Sequence, residues 1–117
     1  VYSGHAEQVG SAVLSTTTGH YGIKGVIVVD DDIAADDLDR VFWALSVRYD
    51  PFANTEIIKR GRGSPFDPTP REDELITSKI IMNATFPFGW KQRPAEVKLD
   101  DEVVNKIRSR WKEYGLD

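Results

Sequence analysis

The sequence contains no cysteine, one methionine and two histidines, and these scarcities exclude several kinds of chemistry. Without cysteine there is no disulfide framework, no thiolate zinc site and no cysteine nucleophile. This composition suits a reducing compartment, and we expect a cytoplasmic protein. No apolar run approaches the roughly 20 residues that span a bilayer, and the first residues lack a signal-peptide pattern. We therefore expect no membrane span and no secretion.

An excess of positive charge is also missing. The 117 residues carry 15 Lys and Arg against 19 Asp and Glu, a formal net charge of −4. Because affinity for phosphate backbones depends mainly on surplus Lys and Arg, we expect no nucleic-acid partner. The length and the 40% share of hydrophobic residues fit one domain with its own core. A chain that opens on Val1 instead of Met further predicts a domain of a longer protein.

Apolar residues recur with the spacing of helices and strands in alternation. The predicted elements are a helix at 6–14, a strand at 25–29, a helix from 36–37 to about 49, strands at 55–59 and 79–82, and a helix at 100–115. The strand at 25–29 is apolar without alternation, which indicates burial on both faces. We therefore expect it at the centre of the sheet.

This order of elements predicts the α/β class, with a small, mostly parallel sheet flanked by helices. A long loop rich in proline and glycine is predicted at 61–78, and loops of this length in compact domains are usually functional or disordered. We expect a single domain over 1–117, with an α/β core at 1–98 and a C-terminal helix at 99–117.

Three consecutive carboxylates, Asp30, Asp31 and Asp32, follow the apolar strand. Open α/β sheets bind ligands beyond the carboxyl ends of their strands, and clustered carboxylates bind Mg²⁺, so a magnesium site is one interpretation. The other is structural, because adjacent side chains point in different directions and aspartate commonly ends strands and caps helices. We favour the structural interpretation, since no motif supplies the partner residues of a magnesium enzyme.

Two further groups of residues have weak chemical signals. His5 and His20 could form a proton shuttle or a metal pair, but each follows a glycine in a predicted loop without metal-motif spacing. We favour ordinary loop histidines. Residues 59–63 (Lys-Arg-Gly-Arg-Gly) resemble an Arg-Gly nucleic-acid element, yet one short copy in an acidic chain favours a solvated loop or a site for one anionic group.

Aromatic residues are concentrated toward the C-terminus. The stretch at 86–90 (Phe-Pro-Phe-Gly-Trp) either forms a binding surface or packs back on the core, and both interpretations stay open. Trp111 belongs to an apolar stripe on the predicted C-terminal helix. That stripe must be buried in its own domain or on a neighbour, and we favour a contact between subunits.

Five segments, spread over nearly the whole chain, carry a family resemblance. They are Gly-His-Ala-Glu-Gln at 4–8, Val-Ile-Val-Val-Asp-Asp-Asp-Ile at 26–33 with Val-Phe-Trp-Ala-Leu-Ser-Val-Arg-Tyr-Asp-Pro at 41–51, Ser-Pro-Phe-Asp-Pro at 64–68, Ser-Lys-Ile-Ile-Met-Asn-Ala-Thr at 78–85 and Trp-Lys-Glu-Tyr-Gly at 111–115. In their order and spacing they resemble the C-terminal domain of the UbiD-type decarboxylases. Members of that family use prenylated FMN to decarboxylate, reversibly, aromatic and α,β-unsaturated carboxylic acids.

The resemblance implies that the catalytic residues, and the ligands of the Mn²⁺ and K⁺ that hold the flavin phosphate, lie in flavin-binding domains upstream in the same polypeptide. We then expect no catalytic, cofactor-binding or metal-binding residue in this chain and no activity of the chain alone. The resemblance also implies a domain that hinges over the flavin site and contributes to a homo-oligomer, a dimer or a hexamer. It favours the structural interpretation of the three aspartates.

The resemblance assigns Pro65 and Phe66 to a loop that faces the substrate pocket. In the family the apolar residue of a Pro-apolar-x-Pro segment reaches toward the pocket; it is often leucine in relatives and is Phe66 here. The larger ring would narrow the pocket mouth or stack on an aromatic acid, unless it packs on its own loop. We expect a small carboxylic acid as substrate, and we keep one alternative function, a stand-alone interaction or regulatory domain without catalysis.

Overall fold

The computed structural model describes residues 2–70 and 74–115. Within these ranges helices and strands alternate as the sequence predicts, with one additional short helix. The elements are α1 (His5–Leu14), α2 (Gly19–Gly22), β1 (Gly25–Val28), α3 (Leu38–Val47), β2 (Thr55–Arg62), β3 (Ile76–Asn83) and α4 (Asp101–Ser109), followed by a 3₁₀ turn at Trp111–Tyr114. The loop between β2 and β3 is shorter than predicted, because both strands extend beyond their most apolar residues.

The sheet is mixed, with β3 between β1 and β2. β1 pairs parallel to β3, whereas β2 pairs antiparallel to it, so the predicted α/β class is confirmed. The prediction that 25–29 lies at the centre of the sheet is wrong, since β1 is an edge strand. Its apolar run has another cause: α1 packs against β1, while Ile27 and Val29 pack against a cluster that includes α3 residues.

Gly10 determines how closely α1 approaches the sheet. A Cβ atom at this position would lie 2.4 Å from Cγ2 of Ile81, which is fully buried on β3. Nearby, the Asn83 side-chain amide donates to the Glu7 carboxylate at 2.8 Å. Any side chain at position 10 would therefore push the helix away from the central strand.

Lys79 is a buried cation on β3, with only 4% of the residue exposed. Its ammonium group donates to the carbonyl oxygens of Gly19, His20 and Ile23 at 2.8, 2.7 and 2.9 Å. These carbonyls end α2, a helix of four residues that is too short to be stable alone. Burial lowers the pKa of Lys79, while the three acceptors give its ammonium a full set of partners.

A second buried cluster lies where α3 meets the ends of β1 and β3. It comprises Ile33, Val41, Ala44 and Ala84. The Asp37 carboxylate caps α3 by accepting from the Arg40 backbone N–H at 3.1 Å. The helix ends before Pro51, as predicted, because proline cannot continue it.

The C-terminal part of the chain forms an arm, residues 87–115, that extends from the α/β core. Residues 91–100 have no helix or strand and are exposed, and no residue of α4 is buried. The radius of gyration is 19.3 Å, against about 13 Å for a compact domain of this size. Within the described ranges, no helix combines the length and the apolar character that crossing a bilayer requires.

Candidate functional site

The loop that joins β2 to β3 carries the residues that the resemblance assigns to the substrate pocket. Its two ends are joined by a hydrogen bond from the Gly63 N–H to the Leu75 carbonyl at 2.7 Å. Because β1 and β3 are parallel and the loop precedes β3, it lies at the edge where both strands begin.

Phe66 stands on a tight turn with its ring in solvent. Its backbone N–H donates to Ser64 Oγ at 3.1 Å, and the Asp67 N–H donates to the Ser64 carbonyl at 3.0 Å. The residue is 94% exposed, so the interpretation that Phe66 packs on its own loop is wrong. Pro65, beside it, is also exposed. Hydrogen bonds thus hold the backbone at Phe66, while its aromatic ring stays exposed to solvent.

Asp67 connects this turn to the start of β1. Its Oδ2 lies 2.7 Å from Lys24 Nζ, while its Oδ1 accepts from the Thr69 N–H at 3.0 Å and the Thr69 hydroxyl at 2.8 Å. Lys24 Nζ also donates to Thr69 Oγ1 at 2.7 Å. The contact with Lys24 and the Thr69 N–H lower the pKa of Asp67 to about 2.

An open apolar groove lies on the sheet face next to Lys24. Its volume is about 440 Å³, and its lining residues are Lys24, Gly25, Ile57, Ser78, Lys79 and Ile80. A Cβ atom at Gly25 would lie 3.2 Å from Ile80 Cγ2, so a side chain there would crowd Ile80, another residue that lines the groove. The groove and the Phe66 turn therefore share Lys24 as a common boundary.

The three aspartates lie at the opposite edge, where β1 ends. Arg48 donates to both oxygens of Asp32, at 2.9 and 2.6 Å, and its Nη1 lies 3.5 Å from Asp30. The pKa of Asp32 is lowered, chiefly by this contact with Arg48. Asp31 is exposed in a turn. Arg48 thus offsets the negative charge of this acidic cluster, as expected if the aspartates have a structural role.

Aromatic rings enclose the Arg48 guanidinium. Its side chain is 2% exposed, and its Cζ lies 3.8 Å from the centroid of Phe86 and 5.0 Å from that of Trp43. The Phe86 N–H donates to Asp30 Oδ2 at 2.7 Å. The stretch 86–90 therefore divides: Phe86 packs on the core side, whereas the next aromatic residue, Phe88, is exposed.

The other candidate residues form no shared centre. His5 begins α1 and His20 lies in α2, so the prediction of loop histidines is wrong in its local structure. Residues 59–62 belong to β2 instead of a loop. In the described part of the chain, no three side chains of His, Cys, Asp or Glu are grouped to hold a metal ion.

The apolar stripe of the arm is largely exposed to solvent. It consists of Val103, Val104, Ile107, Trp111 and Tyr114, of which all but Val104 are exposed. α4 is capped by Asp100, whose carboxylate accepts from the Glu102 N–H at 2.9 Å. The arm contacts α3 through an ion pair between Glu96 and Arg40, and this pair lowers the pKa of Glu96. The described residues of the core therefore leave most of the stripe uncovered.

The fold and these two edges define a small α/β domain that carries an exposed aromatic turn at one end and a compensated acidic cluster at the other. Comparison with known proteins gives the family. Residues 1–84 match the family described as the 3-octaprenyl-4-hydroxybenzoate carboxy-lyase C-terminal domain, the UbiD C-terminal domain. The chain belongs to this family, as the resemblance implied.

Curated relatives cover most of the chain, although the chain spans only about a quarter of their length or less. It is 37% identical to the phenolic acid decarboxylase of Sedimentibacter hydroxybenzoicus, over 86% of the chain and 21% of that protein. It is 35% identical to the anhydromevalonate phosphate decarboxylase of Aeropyrum pernix, over 67% of the chain and 17% of that protein. An uncharacterized protein of A. pernix is 36% identical over 99% of the chain and 24% of its own length.

Solved structures show the same fold. The vanillic acid decarboxylase of S. hydroxybenzoicus in its closed form is 32% identical, with a TM-score of 0.70, over 99% of the chain and 25% of that protein. Its open form matches with the same TM-score of 0.70. The UbiD-class enzyme HmfF of Pelotomaculum thermopropionicum, in complex with FMN, is 25% identical with a TM-score of 0.70, over 90% of the chain and 22% of that protein.

Proposed function

We propose that the chain is the C-terminal domain of a prenylated-FMN-dependent, non-oxidative carboxy-lyase that acts reversibly on an aromatic or α,β-unsaturated carboxylic acid. The observation that carries this proposal is the family match over residues 1–84, joined by relatives that are named as decarboxylases. Catalysis then resides in flavin-binding domains of the same polypeptide, and this domain supplies a pocket-facing loop and oligomer contacts. The absence of cysteine supports the prediction of a cytoplasmic enzyme.

The cofactor proposal rests on relatives, since the described residues do not fit a cofactor site. HmfF is seen with FMN, and a dimeric form of HmfF that was evolved is seen with prenylated FMN. The described part of this chain has no cluster of metal-ligating side chains. The Lys79 ammonium has three acceptors, and Arg48 is paired with Asp32 through its two terminal nitrogens, while its Nε has no hydrogen-bond partner. We therefore assign prenylated FMN, with Mn²⁺ and K⁺, to the upstream domains and derive no chemical step from this chain.

Phe66 is the residue through which this domain would meet the substrate. The ring is exposed while its backbone is hydrogen-bonded, which is the arrangement of a side chain presented to a partner surface. A phenyl ring offers an apolar wall that an aromatic acid can stack against.

The test uses the full-length enzyme with Phe66→Ala and Phe66→Leu, and kcat/KM for CO₂ release from vanillate, cinnamate and smaller unsaturated acids. We expect Phe66→Ala to change the ratio of kcat/KM between aromatic and non-aromatic acids by about tenfold, the size of effect that one pocket contact produces. Phe52→Ala is the matched control, because Phe52 is 96% exposed and lies in a different turn. Unchanged ratios in Phe66→Ala, or the same change in Phe52→Ala, would refute the role of Phe66.

The arm is the proposed oligomer contact. Its stripe leaves Val103 and Ile107 of α4, and Trp111 and Tyr114 of the following 3₁₀ turn, partly exposed, and the apolar face of an amphipathic helix is stabilised when it is covered. We expect deletion from Asp100 onward, or Trp111→Ser, to reduce the size of the full-length enzyme on a sizing column. Lys106→Ala in α4, the helix that precedes Trp111, is the control, and a native oligomer in the Trp111→Ser variant would contradict the assignment.

A further inference from the structure

We propose that Lys24 and Asp67 form a clamp that positions the Phe66 ring, so that Lys24 is a positioning residue for substrate selectivity. This inference rests on the proposed function of Phe66 as a pocket wall. Lys24 belongs to no motif of the resemblance and lies far from Phe66 along the chain. It reaches the turn only through the fold.

Lys24 contacts the sheet through its backbone and the Phe66 turn through its side chain. The Lys24 carbonyl accepts from the Ile80 N–H at 2.9 Å, so the main chain of Lys24 is attached to the central strand. Lys24 Nζ lies 2.7 Å from Asp67 Oδ2 and 2.7 Å from Thr69 Oγ1. One ammonium group therefore joins the sheet to the two polar residues that follow Phe66.

Asp67 transmits this restraint to the neighbouring backbone. Its side chain is 11% exposed, and its carboxylate accepts from both the N–H and the hydroxyl of Thr69. Its own N–H donates to the Ser64 carbonyl, which closes the turn over Phe66. The lowered pKa of Asp67 agrees with a carboxylate that is stabilised in its charged form.

Without the clamp, the turn would depend on short-range contacts alone. The Phe66 ring has no packing of its own, and the Gly63–Leu75 hydrogen bond holds the loop only at its base. A side chain that must meet a partner in one orientation loses less entropy on contact when its backbone is already fixed. The ion pair supplies this restraint from outside the loop.

The first measurement is hydrogen–deuterium exchange in the full-length holoenzyme. It reports how often the hydrogen bonds of the turn open and does not depend on catalytic turnover. The amides of Phe66 and Thr69 both donate within the turn and report its opening. We expect Lys24→Met to accelerate their exchange about two- to fivefold, Lys24→Arg to keep near-native protection, and Lys59→Met, a change of an exposed lysine on β2, to alter neither. Unchanged exchange in Lys24→Met would overturn the clamp.

The second measurement is the ratio of kcat/KM between vanillate and a non-aromatic unsaturated acid for the same variants beside Phe66→Ala. We expect Lys24→Met to shift the ratio in the direction of Phe66→Ala and Lys24→Arg to restore it. If Phe66→Ala shifts the ratio and Lys24→Met accelerates exchange without shifting it, the positioning role is overturned. If Phe66→Ala leaves the ratio unchanged, the proposed function of Phe66 has failed, and the positioning role of Lys24 is overturned with it, whatever the exchange data show.

Discussion

Replacement of Lys79 by methionine removes a buried charge while keeping most of the side-chain volume. The aliphatic stem of Lys79 packs against Gly61. A Cβ atom at position 61 would lie 3.0 Å from the Lys79 Cδ and Cε atoms, so a side chain at position 61 would crowd this stem. Methionine retains the stem but donates no hydrogen bond. Three carbonyl oxygens lose their donor in this variant.

The loss of unfolding free energy in Lys79→Met depends on which of the three carbonyl oxygens water can reach. His20 is exposed, so water can reach its carbonyl, whereas Gly19 is buried and Ile23 is half-buried. The Gly19 and Ile23 carbonyl oxygens, which water reaches less easily, cost about 1–2 kcal/mol each when they lose their partner. We therefore expect the free energy of unfolding to fall by about 2–4 kcal/mol, which is a large part of the stability of a domain of this size.

Urea unfolding of the 117-residue chain, followed by tryptophan fluorescence, measures this loss. With a slope of about 2 kcal/mol/M, the midpoint of Lys79→Met should lie about 1–2 M below that of the unchanged chain. Lys59→Met is the matched control, since Lys59 is exposed on the adjacent strand β2, and its change should stay within about 0.5 kcal/mol. A Lys79→Met midpoint equal to that of the control would refute the reasoning.

Three further predictions concern packing and charge. Gly10→Ala should destabilise the chain by about 1–3 kcal/mol in the same urea assay, because its Cβ would meet Ile81. Gly22→Ala is the control and should cause no such loss, since the nearest atom to its Cβ would be 3.8 Å away. Equal losses of stability in the two variants would contradict the close approach of α1 to the sheet. Arg48→Met should cost about 2–3 kcal/mol through lost hydrogen bonds and ring stacking, and a variant as stable as the unchanged chain would show that this cation is dispensable. Because the folded pKa of Asp67 is about 2, below its unfolded value, its stabilising contribution is present above about pH 4 and is lost as the pH falls through 2; constant exchange protection of its turn between pH 4 and 2 would argue against the ion pair.

Local signals in the sequence predicted most of the elements. The helix α1, the strands β2 and β3 and the cap at Asp100 follow from spacing and residue type alone, whereas the antiparallel pairing of β2 with β3 does not. The strand at 25–29 was wrongly predicted to be central. A continuous apolar run indicates that both faces of a strand are covered, and helices can also cover both faces of an edge strand. The short helix α2 was missed because its stability depends on Lys79, about 60 residues away in the chain.

The candidate site was predictable only in part. Phe66 was reached through the family resemblance, and no property of its own sequence neighbourhood indicates whether its ring is packed or exposed. Lys24 gave no signal, because its partner Asp67 is 43 positions away and surface lysines are common. Arg48 could have been found: an arginine near the C-terminal end of an amphipathic helix that follows three aspartates is a plausible partner for them. Long-range ion pairs of this kind are fixed by topology, which the local sequence does not encode.

The two edges of the sheet separate a buried ion-pair cluster from the exposed turn for which we propose a role in substrate recognition. Arg48 fills the edge where β1 ends and is enclosed by aromatic rings, so substitutions there act on folding. The Phe66 turn occupies the edge where β1 and β3 begin and leaves its ring in solvent. Because the length of β1 separates these groups and they share no contact, their substitutions should combine additively. On the proposed role of Phe66, randomising residues 64–69 would alter acid preference, and the Arg48 edge could be reinforced independently because the two ends of the sheet do not interact.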